Sequence, residues 1–386
     1  MTLTELFFAL IRCTICEKQL PEKVKTTLQE HEDAYSSLFT LSKSHDLAHL
    51  ICDSLDKNDL LPENAIGEQF RSQRLNAVFR YEQLRYDFDE LCETLESAEI
   101  DYMPLKGSVI RQLYPEPWLR TSCDIDVLVH KSALEKTCAL LRDKLEYKDD
   151  IHDSHDYSFW SNEGVHLELH FDLIEYIPKL IPVLSHAWET SHVKGQTKHC
   201  FEMTDEMFYF YHLGHMAKHV VNGGCGIRSF IDLWILDNVV PHDREKRDAL
   251  LMEGGLLTFA NAARKLVAVW FDEQEKDEFS EKFEKYLLHG GSYGNLENRV
   301  TVQHVKKGGK FRYYLSLIWL PYDRLKVVYP GLEKRKWLFP FYQIRRWFRI
   351  LFKGMRTTTK RHLQTSNSIT KQQREDVASL LQELEL

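Results

Sequence analysis

The stretch CDIDVLVH, residues 123–130, decides the fold. Ile125, Val127, Leu128 and Val129 give it the β-branched and aliphatic character of a buried strand. Side chains on a strand alternate faces, so Asp124 and Asp126 point the same way while Ile125 points into the core. Two carboxylates held within about 4 Å repel by roughly 4 kcal/mol at an effective dielectric near 20. A cation between them relieves that cost, and Mg²⁺ commonly takes one or two carboxylates plus substrate phosphates. Taken alone, the Asp-x-Asp pair reads equally as two exposed acids on a solvated edge.

Working outward, VHLELHFDL (165–173) alternates strictly. Val165, Leu167, Leu169 and Phe171 take one face; His166, Glu168, His170 and Asp172 take the other. Such a strand suits the wall of an active site, and fits a strand with one wet face just as well. Residues 155–161 pair with it through an Asn162-Glu163-Gly164 turn. Upstream, Ile100, Tyr102 and Pro104–Leu105 predict a short strand running into Lys106-Gly107-Ser108. Backbone N–H groups at a strand-to-helix turn cradle phosphates, helped by the helix N-terminus. Lys106 and Arg120 supply cationic contacts to a polyphosphate. Val109 to Tyr114 is a helical turn or two, stopped by Pro115 and Pro117. Ser132 offers an N-cap for a helix to about Leu145. The expected class is α+β, with a small mixed-sheet core over 99–175.

Helical patterns flank this core. Leu38, Leu41, Leu47, Leu50, Ile51 and Leu55 follow a 3.6 period, and Glu68 to Ser97 continues it past the break at Pro62. Further helices are expected over Thr204–Val221, ended by Asn222-Gly223-Gly224, over Gly226–Asn238, and over 371–385 after a polar, Ser/Thr-rich tail from Thr357. The expected organisation is a helical region over 1–98, the core over 99–175, a second helical region over 176–300 and a basic aromatic helical region over 301–386.

With 386 residues, 43% hydrophobic and 28% charged, the chain reads as an ordinary globular protein of one large or a few smaller domains. The start, MTLTELFFALIRCTIC, has no basic n-region and carries Glu5, so it reads as an amphipathic helix and not a signal peptide. No apolar run approaches the roughly 20 residues of a membrane span. A cytoplasmic location is expected. Of eight cysteines only Cys13 and Cys16 have ligand-like spacing, and i, i+3 on a helix explains it; reduced thiols are the default over a zinc site.

The order Gly-Ser turn, then Asp-x-Asp strand, then a third acidic strand carries a resemblance. LKGS…R…DIDVLV…LELHF resembles the polymerase-β nucleotidyltransferase superfamily, and more narrowly a bacterial nucleotidyltransferase branch with LKG, R…DIDLLV and DLHW-like motifs. The likeness is strongest over 99–173 and continues into YHLGHMAKH…IRSFIDLW and PYDRL…YPGLEKRKWLFPFY. It implies Asp124, Asp126 and Glu168 as catalytic metal ligands for Mg²⁺ (or Mn²⁺), and Lys106, Gly107, Ser108 and Arg120 as nucleotide phosphate contacts. The third position often holds Asp in the superfamily, and Glu168 reaches about one methylene further. The implied reaction is two-metal transfer of a nucleoside monophosphate from a nucleoside triphosphate to an unspecified hydroxyl or phosphate acceptor. A catalytically silent nucleotide- or partner-binding scaffold, or a phosphotransferase moving the γ-phosphate, are the alternatives.

Secondary features stay open. His212, His215 and His219 share a helix face as a metal cluster or as packing residues. Arg228 and Asp232 at i, i+4 form an intrahelical or interhelical pair. His166, His170, His215, Arg228 and Asp232 are candidates to surround the site. From 306 to 361 there are sixteen Lys/Arg against only Asp323 and Glu333, interleaved with Trp337, Phe339, Phe341, Tyr342, Trp347, Phe348 and Phe352. This tract reads as a helix packed on the rest of the protein, as an anionic-membrane surface that would make the protein membrane-peripheral, or as a nucleic-acid surface.

Overall fold

A computed structural model describes residues 1–31, 33–174, 177–332, 335–352 and 356–386. The expected end of the core at 175–176 and, in the basic tract, Glu333, Lys334 and Lys353 lie outside the described residues. The chain divides into two compact units, Met1–Lys218 with Gly226–Ser280, and His219–Cys225 with Glu281–Leu386.

The first unit begins with helices α1 (Leu3–Ile15), α2 (Glu22–Glu30), α3 (Asp33–Ser44) and α4 (Ala48–Lys57), followed by the long α5 (Ala65–Ser97). A capping box of Thr2 and Glu5 starts α1, which satisfies two of its free N–H groups. At the start of α5 the Asn64 side chain accepts from the N–H groups of Ile66 and Gly67. Gly67 is required there, because a Cβ would fall 1.7 Å from the Pro62 carbonyl oxygen. The far half of α5 turns Leu84, Leu91 and Leu95 onto the sheet.

The sheet is built from β1 (Tyr102–Pro104), β2 (Asp124–Val129), β3 (Lys148–His152), β4 (Asp156–Trp160) and β5 (His166–His170), with α6 (Gly107–Ile110) and α7 (Leu134–Asp143) between them. Their order across the sheet is β1-β2-β5-β4-β3. Only β2 and β5 run parallel; the other pairings are antiparallel. Ile125, Val127 and Val129 of β2 join Leu167 and Leu169 of β5 in one buried cluster with α5 and α7. Strand alternation therefore sends Asp124, Asp126 and Glu168 to the opposite face. The α+β class is as the sequence implies.

Three local expectations are corrected. Ser132 does not cap α7: a 3₁₀ turn over Lys131–Ala133 leads in, and Ala133 stands at the cap without a side-chain bond. β3 was not foreseen, since KDDIH is exposed at every position and shows no alternation. Pairing with β4 and the Arg142–Asp149 ion pair at 2.8 Å hold it in place. The polar tail from Thr357 is helical, as described below.

The first unit continues with α8 (Ile181–Leu184), the ribbon β6 (His192–Val193) and β7 (Phe201–Glu202), α9 (Asp205–Val220), α10 (Ile227–Asn238), α11 (Arg244–Glu253), α12 (Leu257–Phe271) and the start of α13 (Glu278–Gly290). The second unit comprises α14 (Leu296–Lys306), α15 (Lys310–Ile318), α16 (Tyr322–Val328), α17 (Phe339–Phe352), α18 (Arg356–Ser368) and α19 (Lys371–Glu383). The tail becomes α18 through tertiary bonds. His304 bonds Ser366 at 2.9 Å, and Tyr314 donates to Asn367 at 2.9 Å. Packing thus overrides weak Ser/Thr helix propensity. Among the described residues no helix is long and apolar enough to cross a membrane.

Candidate metal and nucleotide site

Parallel pairing of β2 and β5 sets Asp124 beside His166, Asp126 beside Glu168 and Leu128 beside His170. Two groups of potential ligands result on one face: Asp124, His166 and Glu168, and Asp126, Glu168 and His170. Within each group the ligand atoms lie within 4.8 Å of one another. Glu168 belongs to both, so the ladder register joins the three carboxylates into a single acidic cleft.

Asp126 is the most enclosed of the three, with its side chain 3% exposed. Lys106 Nζ donates to its Oδ1 at 2.7 Å, and His170 Nε2 donates to the same oxygen at 3.0 Å. Burial pushes the Asp126 carboxyl up, but Lys106 and His170 outweigh it and hold the group well below the usual carboxylate range. Glu168 Oε2 stands 3.7 Å from Lys106 and 3.5 Å from His170. The hydrogen bond from His170 lowers the Glu168 pKa against the opposing effects of burial and of Asp126. Burial pulls His170 down, yet its bonds to Asp126 and Glu168 raise it overall. Asp124 differs. Burial and then the neighbouring charge of Asp126 raise it, and Lys106 and Arg228 offset this only in part.

The turn ahead of α6 carries Lys106 at φ 44° and ψ −119°, a region that disfavours residues with a Cβ. Leu105 N–H donates to the Asp126 carbonyl at 3.0 Å, which anchors the turn to β2. A Cβ on Gly107 would lie 2.9 Å from Arg120 Nη1 and 3.3 Å from Arg111 Nη2. Glycine thus lets two guanidinium groups close on the turn. Because α6 is a single turn, the helix dipole invoked from the sequence is short, and the Ser108 N–H already donates to the Leu105 carbonyl at 3.1 Å.

Arg120, which closes on the Gly107 turn, is also paired with α10. Its Nη2 donates to Asp232 Oδ2 at 2.8 Å, and Tyr114 OH donates to Asp232 Oδ1 at 2.6 Å. Arg228 donates to Asp46 at 3.2 Å and to the Thr121 carbonyl at 2.9 Å. Arg228 and Asp232 therefore each bind other elements, and Asp232 ties α10 to the loop before β2. His212 Nε2 donates to the Ser229 carbonyl at 3.0 Å, again joining α9 to α10. His215 lies one turn further along α9. His212, His215 and His219 form no candidate metal group among the described residues.

A cavity of about 220 Å³ opens beside Lys106, Glu168 and His170. Its other walls include Asp153, His155 and Asp156 at the start of β4, and Tyr211 and Lys218 from α9. The acid-imidazole run DSHD (153–156) was a visible signal that sequence reasoning passed over. Arg111 was also missed. It is almost fully buried, donates to the Gly107 carbonyl at 2.7 Å and to Ser122 Oγ at 2.6 Å, and Ser122 in turn donates to the Asp124 carbonyl at 3.1 Å. Burial and then Arg120 lower its pKa to about 10. Its position four residues after Gly107 on a short helical stretch was the only sequence clue.

The crystal structure of an antigenic nucleotidyltransferase-like protein from Paracoccidioides brasiliensis is similar to this chain at 17% identity, covering 51% of this chain and 95% of that one, with a TM-score of 0.32. No curated protein matches. A family model described as "Uncharacterised nucleotidyltransferase" matches residues 31–272, a span that holds α5, the whole sheet with its acidic cleft, and helices α9 and α10. This chain belongs to that nucleotidyltransferase family.

Proposed function

We propose that the protein transfers a nucleoside monophosphate from a nucleoside triphosphate to a hydroxyl or phosphate acceptor, in a polymerase-β type of reaction. The observation that carries this reading is the placement of Asp124, Asp126 and Glu168 on one face of two parallel strands within a family of nucleotidyltransferases. The donor set fits a divalent cation: carboxylate oxygens suit Mg²⁺, and the imidazoles of His166 and His170 make Mn²⁺ equally acceptable. Asp124, Glu168 and Asp126 would hold it. When bound, such an ion neutralises triphosphate charge and makes a hydroxyl more acidic. Magnesium, nucleotide binding and a cytoplasmic location belong to this proposal.

The chain's own groups divide the remaining work. The Gly107 backbone N–H and the Ser108 hydroxyl bind phosphate oxygens, the Ser108 N–H already donating to the Leu105 carbonyl at 3.1 Å, and the Lys106 ammonium adds charge beside them. In the reaction the acceptor oxygen bonds to the α-phosphorus as its proton, where it is a hydroxyl, passes to solvent water, the bond from that phosphorus to the bridging oxygen of the β-phosphate breaks, and pyrophosphate leaves with the electron pair. Glu168 is kept ionised by His170, which suits holding a cation better than taking a proton. Asp232 holds the Arg120 guanidinium, which lies beside the Gly107 turn. One observation favours the silent scaffold as a second reading, namely the ion pair of Lys106 with Asp126, which already neutralises one carboxylate.

The test is the thermal stability of the wild type and of Asp124→Asn/Asp126→Asn with each nucleoside triphosphate, with and without Mg²⁺ or Mn²⁺. A ligand at 100 times its Kd adds about 2.7 kcal/mol. The expected result is a metal-dependent shift that the double variant lacks, with pyrophosphate as product and turnover lower in the variant by on the order of a thousandfold. Nucleoside diphosphate as product would replace the reading with kinase chemistry, and binding without turnover would replace it with the scaffold.

A further inference from the structure

The second unit exposes apolar side chains in a pattern that its own core does not need. On α15, Phe311, Leu315 and Ile318 stand at i, i+4 and i+7, with Phe311 72% exposed. On α17, Phe341, Ile344 and Phe348 stand at i, i+3 and i+7, with Phe341 63% exposed. Each set forms one helix face. Tryptophans flank both stripes: Trp319 follows α15, and Trp337, 70% exposed, precedes α17. The opposite side of α17 is already satisfied, since Phe339 and Tyr342 pack on the cluster of Leu325, Tyr329 and Leu332.

The two helices are fastened to each other. Arg346 Nη2 donates to the Leu317 carbonyl at 2.9 Å, and Trp347 Nε1 donates to the Ile318 carbonyl at 2.7 Å. These carbonyls end α15 and would otherwise lack partners. The α17 stripe lies on the side of that helix turned away from these two bonds, and it is the face followed below. Around the two helices lies the most cationic part of the sequence, sixteen Lys/Arg against two acids over 306–361, with Arg312, Arg345 and Arg349 exposed on α15 and α17 themselves.

We infer that this face docks on the surface of an anionic lipid bilayer, with the apolar stripe seated among the headgroups and the arginines paired with lipid phosphates. Three properties select this occupant. An apolar helix face with Phe341, Ile344 and Phe348 all exposed marks an interaction surface. Cations interleaved with the apolar residues fit a charged lipid surface, whereas the core of a protein–protein interface is depleted of charge. Leu315, Ile318 and Ile344 have no ring on which a nucleobase can stack, which argues against single-stranded nucleic acid. Tryptophan at the stripe ends is the residue that favours the membrane–water boundary. The mode is peripheral, because no described helix is long and apolar enough to span.

The experiment is co-sedimentation of the full chain with phosphatidylcholine vesicles, with and without about one-third phosphatidylserine. The expected result is binding only to the anionic vesicles, weakened by added salt. Arg312→Glu/Arg349→Glu and Trp337→Ala/Phe341→Ala should each lower partitioning by about tenfold or more. All four positions are exposed, so melting temperature should stay near that of the wild type. Arg346 is left intact because it braces α15. No sedimentation of the wild type would overturn the inference, as would variants that bind like the wild type. Concentration-dependent self-association or binding of a labelled oligonucleotide, with vesicles inert, would assign the face to a second copy or to nucleic acid instead.

Discussion

Asp124 and Asp126 sit two residues apart on β2, face the same cleft and carry the same charge, yet their surroundings are opposite. Asp126 is sealed in and receives an ammonium at 2.7 Å and an imidazole N–H at 3.0 Å. Asp124 is more open, and among the described residues no side chain donates a hydrogen bond to it. One is held ionised by its partners, while the other is pushed toward its neutral form by burial and by its neighbour. The difference teaches that the cleft is already half compensated by the protein. Lys106 and His170 offset the charge of Asp126 and reach Glu168 less closely, at 3.7 and 3.5 Å, while burial and Asp126 oppose the charge on Asp124. On the function proposed above, Asp126 would serve the fold as well as the chemistry, and Asp124 chiefly the chemistry.

Removing Asp126 is the strongest test of that division. Asp126→Ala takes the nearest acceptor from a part-buried ammonium and a buried imidazole, leaving Glu168 Oε2 at 3.7 and 3.5 Å, so the loss should be about 3 kcal/mol, the low end for breaking a buried pair. Urea denaturation in a chelating buffer should show a loss of this size, and a loss below about 1 kcal/mol would erase the contrast. Asp232 extends the comparison beyond the cleft. It is fully buried, and against that burial Arg120, His212 and Tyr114 hold its pKa below the usual range. A carboxylate depressed in the folded state contributes stability that is present above its unfolded pKa of about 3.9 and is lost as pH falls through the folded value. Asp232→Asn should cost about 2 kcal/mol at neutral pH, the scale of hydrogen bonds to a charged group. It should also flatten the loss of stability that the wild type shows below about pH 4. Equal acid limbs for the two proteins would show that Asp232 is not paired as described.

Sequence reading reached the centre of this picture but not its supports. Alternation made Asp124 and Asp126 legible on one face of their strand and Glu168 on the polar face of another, but the parallel pairing and register that bring the three together are seen only in the fold. Lys106 was legible as a cation near phosphate but not as the partner of Asp126, because side-chain reach across 20 residues depends on how the turn is folded. Arg120 illustrates the same limit. Its charge suggested a substrate contact, whereas its partner, Asp232, lies 112 residues away on α10. Edge strand β3 had no periodic signal, since all five of its residues are exposed. Local chemistry is written in local sequence; the counter-charges that make it tolerable come from distant segments and are fixed only by packing.

Lys106 gives a finer probe of the compensated corner. Holding a residue with a Cβ at φ 44° costs on the order of 1–3 kcal/mol, so the ammonium must return something for the strain. Lys106→Met keeps the stem and removes the charge, leaving Asp126 with His170 only. A loss of about 1–2 kcal/mol is expected, smaller than for Asp126→Ala because one donor remains. Lys106→Gly removes the same charge and also relieves the backbone, so it should be the more stable of the two variants. If Lys106→Met and Lys106→Gly melt together, the turn carries no strain that the side chain offsets.

The smallest effect should also have the opposite sign. Asp124→Asn removes a charge that burial and Asp126 both oppose, and the shape of the site is kept. In a chelating buffer its melting temperature should therefore rise slightly above that of the wild type, measured by the same scan that shows Asp126→Ala falling. Adding Mg²⁺ and a nucleoside triphosphate should then reverse the ranking, because the wild type gains a ligand that the variant cannot hold. A drop for Asp124→Asn without metal would mean that Asp124 has a structural partner after all, and the two corners would then differ in degree and not in kind. A rise without metal and no reversal with it would leave the contrast intact as electrostatics but remove the cation from it. Only the reversal connects the uncompensated carboxylate to nucleotide chemistry.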